Sequence, residues 1–121
     1  MTQDFAVQFA SEWIHAWNNK DIDGIMSHYS DDFIMISPVI QNLIGEIGGT
    51  LKGKASVREY WLKAIKKYPG LHFNLINVFV GVNSIVINYE GHRGLSSEVF
   101  YFDKQNKVNR AYAHYIQAST C

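Results

Sequence analysis

The hydrophobic period of this chain changes once, near Pro69 and Gly70, and nothing else in the sequence constrains its fold as much. Before that point apolar residues recur every three to four positions; after it they recur every second. Helices first and strands afterwards, in 121 residues with no repeat or composition break, imply one α+β domain over 1–121 whose helices cover one face of a single sheet.

The first half resolves into three helical segments. Phe5, Phe9, Trp13, Ala16 and Trp17 share one helical face, and Asn18 and Asn19 end it. Asp21 caps a short second helix with Ile22, Ile25, Met26 and Tyr29 on one face, breaking at Ser30, Asp31 and Asp32. A strand over 33–37 stops at Pro38. The stretch 39–50 mixes glycines with Val39, Ile40, Leu43, Ile44 and Ile47, which predicts a flap-like loop over a cavity. Ser56 and Glu59 fit a capping box for a third helix, starting there or a residue or two earlier, with Val57, Tyr60, Trp61, Ala64, Ile65 and Tyr68 on its face. Strands over 71–80, 84–89, 96–102 and 108–116, separated by turns at 81–83, 91–94 and 103–106, then form an antiparallel meander.

Electrostatics narrows the choice of partner. Eleven basic and eleven acidic residues leave zero formal charge, and the densest basic run is only Lys63, Lys66 and Lys67. Nucleic acids and anionic membranes call for clustered cations, so a small neutral or apolar molecule is the expected ligand. One cysteine, Cys121, permits no intrachain disulfide, and the sequence shows neither a leader nor an apolar run of bilayer length, so a cytoplasmic protein is expected. His15, His28, His72 and His92 make no metal-ligand spacing, and no phosphate-binding or serine-hydrolase motif is present; no metal and no cofactor are expected.

Three stretches, AWNNKDIDGIMSHYSDDFIMISP, GKASVREYWLKAI and EVFYFDKQNKVNRAYAHY, together resemble the nuclear transport factor 2-like superfamily, and within it the SnoaL-like proteins related to ketosteroid isomerase. The resemblance implies a cystatin-like cone: three N-terminal helices on the concave face of a curved, mainly antiparallel sheet, with a pocket at the wide end. It does not imply one activity, because isomerases, cyclases, dehydratases and non-catalytic modules share the fold. Laid against the ketosteroid isomerase pattern, the catalytic base falls on Ser37, the two tyrosines on Trp13 and Trp61, and the protonated acid on Glu98. A serine without a neighbouring base does not take an α-proton at neutral pH, and an indole does not exchange a proton as a phenol does, so that chemistry is not expected here.

Glu98 remains as the candidate catalytic residue. It alternates with Phe100 and Phe102 and so faces the core side of the sheet, where burial raises a carboxyl pKa and suits it to proton transfer. The resemblance places Trp13, Ser37, Trp61, Ala111, Ala113 and Tyr115 around the ligand. The Asp31–Asp32 pair reads as loop-capping polarity. Arg110, Tyr112 and His114 fall on the opposite face of the last strand, which the resemblance identifies as the surface of a homodimer. Two functions follow as expectations: a cofactor-free isomerase, cyclase or dehydratase acting on a mostly apolar organic molecule through Glu98, or a non-catalytic ligand-binding or dimerisation module.

Overall fold

The structure, a computed structural model, describes residues 1–45 and 48–116. Positions 46–47 of the expected flap and 117–121, with Cys121, lie outside the described residues. Helix α1 (Gln3–Asn18) opens on Thr2, whose hydroxyl accepts from the Phe5 N–H at 3.1 Å, and buries Phe9, Trp13 and Trp17. Helix α2 (Ile22–Met26) opens on Asp21, whose carboxylate accepts from the Gly24 N–H. Strand β1 (Tyr29–Ile36) follows, then α3 (Pro38–Ile44), β2 (Thr50–Lys52) and α4 (Lys54–Lys67). The chain finishes with β3 (Asn74–Gly81), β4 (Ser84–Gly91), β5 (Gly94–Phe102) and β6 (Val108–Tyr115).

Six strands form one curved sheet in the order β2-β1-β6-β5-β4-β3. All neighbours are antiparallel except β1 and β6, whose parallel pairing brings the first strand beside the last. The helices lie over one face of the sheet, and the core runs between them: Phe9, Trp13 and Ile25 from the helices meet Phe33, Ile85, Ile87 and Phe100 from the sheet. The expected α+β cone is thus the fold adopted.

Four local expectations are corrected. Tyr29 does not extend α2; it begins β1 and is fully buried. A five-residue helix ends at Met26, and β6 then captures the chain, the Val108 N–H donating to the His28 carbonyl at 2.8 Å. Asp31 and Asp32 accordingly sit in an irregular part of β1, where the register with β6 shifts between Tyr29 and Ile34. The stretch after Pro38 is partly helical: Ser37 accepts from the Val39 N–H at 3.1 Å, proline occupies the first turn, and α3 carries the fully buried Ile40. Helix α4 starts at Lys54 behind Gly53, whose φ of 92° suits glycine and whose N–H donates to the Phe33 carbonyl, so Ser56 is not the cap.

The fourth correction concerns β3, which begins at Asn74 because 71–73 are engaged by the end of α1. The Asn18 side chain donates to the Phe73 carbonyl at 2.9 Å and accepts from the Phe73 N–H at 2.7 Å, imitating a strand neighbour. Lys20 adds a hydrogen bond to the Leu71 carbonyl. These contacts fix Phe73 against Trp13 and Tyr89 and bring Leu71 to the rim of a cavity.

Candidate functional site

Between the second half of α1, α4 and the inner sheet face lies a cavity of about 520 Å³, within the range of roughly 300–1,000 Å³ usual for small-molecule sites. Its apolar wall comes from Trp13 and Trp17 of α1, Met35 of β1, Leu51 of β2, Trp61 of α4 and Phe73. The three indoles pack edge to face in sequence: Trp13 against Trp17 with centroids 6.2 Å apart, and Trp17 against Trp61 at 5.2 Å. Tyrosines 60, 89 and 115, with Ser37, Ser96 and Glu98, supply its polar atoms.

Glu98 is the buried carboxyl of the lining. Its neighbours on β5's inner face are Ser96 and Phe100, and cross-strand it opposes Ile87 and Ala113. Only 4% of the residue is exposed, and this burial pushes the carboxyl up to about 8, against 4.5 for an ordinary glutamate, with a smaller opposing influence from Tyr89. The Tyr89 phenol donates to Glu98 Oε1 at a long 3.4 Å. At neutral pH the side chain is therefore mainly an un-ionised acid, able to donate a proton and close enough to neutrality to take it back. Burial also raises Tyr89 and Tyr115, Tyr115 to about 12, and the Glu98 charge pushes both the same way. Both phenols stay protonated and serve as donors.

Ser37 reaches the same end of the cavity from the other side. Its hydroxyl caps α3 and hydrogen-bonds the Tyr115 phenol, while its N–H donates to the Gly49 carbonyl at 2.9 Å. Gly49 has a φ of 63°, and a methyl group there would lie 2.8 Å from the Ser37 carbonyl oxygen. The backbone around Ser37 thus depends on glycine, and the hydroxyl is held as a cap and phenol partner, with no histidine or lysine beside it among the hydrogen-bonded residues.

Of the residues singled out from sequence, Trp13, Ser37, Trp61, Glu98 and Tyr115 border the cavity together. Two do not. Ala111 and Ala113 are buried in β6 opposite Phe100 and Glu98, with Met35 of β1 paired beside Ala111, and neither borders the cavity. They form the sheet beneath the site, not its surface. Trp13 has its indole N–H spent on Tyr29 Oη at 3.0 Å, so only its ring is offered to the cavity. The sequence reading passed over Trp17, Tyr60 and Tyr89 as lining residues and over Lys63, Lys67 and Arg93 at the rim. Tyr89 follows Ile85 and Ile87 at period two, a signal that places it on the inner face. Tyr60, Lys63 and Lys67 share one side of α4 at spacings of three and four.

No group of three or more potential metal ligands occurs among the described residues, and none of their helices is long and apolar enough to cross a membrane. Arg110, Tyr112 and His114 lie on the outer sheet face, as the two-residue period requires.

A helix-covered, curved sheet enclosing a cavity lined by a buried, un-ionised carboxyl and tyrosine phenols defines an α+β cone with an internal cavity of small-molecule size. The chain belongs to the SnoaL-like family, whose domain profile matches residues 10–115. A SnoaL-like protein of unknown function from Burkholderia thailandensis E264 is 48% identical, with a TM-score of 0.94 over 96% of this chain and 98% of that one. A protein with a cystatin-like fold from Methylobium petroleophilum PM1 shares 14% identity at a TM-score of 0.76 over 100% of this chain and 83% of the other. TerC, co-crystallised with polyporic acid, has 18% identity and a TM-score of 0.72 over 91% and 90% of the two chains. The latter two establish likeness of fold. Comparison with curated proteins gives no match.

Proposed function

We propose that this chain binds a small, mostly apolar organic molecule in its cavity and, without cofactor, moves a proton on it through Glu98 in an isomerisation, cyclisation or dehydration. The observation that carries the reading is a buried carboxyl that burial holds up to about 8, set beside two protonated phenols in a wall built largely of aromatic and aliphatic side chains. Glu98 gives its proton to a carbonyl or hydroxyl oxygen of the ligand, the Tyr89 and Tyr115 phenols stabilise the negative charge left on the carboxylate, and a proton lost from a ligand carbon in the same turnover restores the acid, the hydroxyl leaving as water in a dehydration. Trp13, Trp17 and Trp61 orient the apolar body. Ser37 acts on the ligand only through Tyr115. That a protein of this fold was co-crystallised with polyporic acid supports an organic molecule as occupant.

Native mass spectrometry of the purified protein, followed by turnover of any retained molecule, tests the proposal. Glu98→Gln keeps binding within a few-fold and loses turnover by roughly 10²- to 10⁴-fold. Unchanged turnover removes Glu98 from the chemistry, and failure to take up any small molecule removes the ligand site.

A second reading rests on the outer sheet face, which no helix covers and which leaves Phe79 59% and Tyr101 42% exposed beside Arg110, Tyr112 and His114. There a second copy of the chain docks, making a homodimer, either alongside ligand binding or as a non-catalytic dimerisation module. Sedimentation measures it: Tyr101→Glu converts dimer to monomer, and a wild-type monomer at tens of micromolar ends the reading. A cytoplasmic location belongs to the same proposal and is read by cell fractionation.

A further inference from the structure

The rim of the cavity is charged unlike the rest of the chain. Lys63 and Lys67 of α4 and Arg93 in the β4–β5 turn border the opening, with Glu59 as the only exposed carboxylate there among the described residues. The whole chain is formally neutral, so three cations against one anion among these lining residues form a local excess. None of these cations has a carboxylate partner among the described residues, where Arg58 pairs with Asp23 and His28, whose burial favours the neutral ring, lies 3.8 Å from Glu12.

Aromatic rings lie beside two of the three cations. The Lys67 ammonium lies 5.5 Å from the Tyr68 ring centroid, and Tyr68 packs on His92 at 4.1 Å, joining the end of α4 to the turn that carries Arg93. The Arg93 guanidinium lies 5.8 Å from the Tyr115 ring, and its charge favours the ionised form of both Tyr115 and Tyr60. Arg93 therefore acts into the cavity as well as outward. A cluster of cations at the mouth of a low-dielectric pocket focuses positive potential there and raises the local concentration of anions.

We propose that the ligand is an organic acid, an apolar ring-bearing body lodged among the tryptophans with its anionic group held at the mouth by Lys63, Lys67 and Arg93. This rests on the cavity being a ligand site and adds the charge and direction of what enters. The anion stays at the cationic rim, and the body's inner end lies against Glu98, Tyr89 and Tyr115. An un-ionised Glu98 offers such a molecule no repulsion; an ionised one would.

Two dyes with the same anilinonaphthalene body separate the charge from the pocket: anionic 8-anilinonaphthalene-1-sulfonate and neutral N-phenyl-1-naphthylamine. Each is titrated by fluorescence into wild type, a Lys63→Gln/Lys67→Gln/Arg93→Gln triple variant, and Ala64→Phe, which fills the cavity from α4. In wild type the sulfonate binds roughly tenfold more tightly, an advantage that shrinks with added salt. In the triple variant the two affinities come within about twofold, while the neutral dye binds as before. Equal affinities in wild type, or an advantage that survives in the triple variant, overturns the organic-acid inference and leaves the pocket standing. If Ala64→Phe does not displace the dyes, or neither binds, the ligand site itself falls and this inference with it.

Discussion

The inner face of β5 holds two different environments four residues apart. Phe100 and Phe102 are packed against Phe9 at centroid distances of 5.2 and 5.1 Å, and Phe5 closes on Phe102 at 5.3 Å. Glu98 and Ser96, on the same face of the same strand, border the cavity instead. Strand geometry is common to both ends, so what differs is the cover. The first turns of α1 bring phenylalanines down onto the sheet; beyond Trp13 the helix nears its end at Asn18, and α4 faces the gap with tyrosine and lysine. One end of the cone is filled by its own side chains, and the other is left for something else.

Truncation tests that contrast most strongly at the filled end. Phe100 is fully buried against Phe9 and Trp13, so Phe100→Ala costs about 3–5 kcal/mol of unfolding free energy in urea titration. Ser96→Ala, at the open end, costs less than about 1 kcal/mol. Comparable losses at the two positions would mean that the cavity end is as tightly packed as the closed one.

Glu98 gives the next largest effect, and it depends on pH. Its folded-state pKa is about 8 and its ordinary value 4.5, so the unfolded chain ionises first as pH rises. Below pH 4.5 both states keep the proton and its burial costs no charge. Between 4.5 and 8 stability falls, and above 8 the loss is complete, on the order of 3–5 kcal/mol. His28, lowered by its own burial, works in the opposite direction, destabilising the fold as pH drops below its ordinary 6.5. The difference between wild type and Glu98→Gln isolates the carboxyl: the variant gains on wild type from pH 5 to 8 in parallel urea titrations. A constant difference across that range would place Glu98 in water.

What could be read from the sequence follows the same division. Period-two alternation from Ile85 through Phe102 needs no tertiary information, because each residue faces one side or the other, and it put Glu98 on the inner face. The tryptophans were legible as a buried helical face but not as a wall, since whether a buried indole meets a side chain or a void depends on how far another helix stands away. Tyr29 was misplaced because its environment is set by β6, some eighty residues later in the chain. The helix after Pro38 was hidden by its glycine neighbours, although Ser37-Pro38 is a cap and first turn in sequence. The cationic rim was illegible for a similar reason: Lys63 and Arg93 are thirty residues apart and meet only across the opening.

The smallest effect falls on Ser37, where the open end meets the backbone that frames it. Ser37→Ala removes the side-chain acceptor of the Val39 N–H and the hydrogen bond to Tyr115, but keeps the backbone bond to Gly49. Loss of a cap costs about 1 kcal/mol, and Ile40, fully buried, keeps α3 in place, so the variant folds with a modestly lower urea midpoint. Ser37→Thr retains the cap and stays within about 0.5 kcal/mol of wild type. Spectrophotometric titration gives the second readout. The Ser37 hydrogen bond favours the Tyr115 phenolate, so without it the Tyr115 transition moves to higher pH in the alanine variant and stays in place in the threonine one. If both variants lose stability equally, the site is limited by packing around Gly49; if alanine alone does, the hydroxyl ties α3 to the phenol beside Glu98, and the open end is ordered by hydrogen bonds where the closed end is ordered by rings.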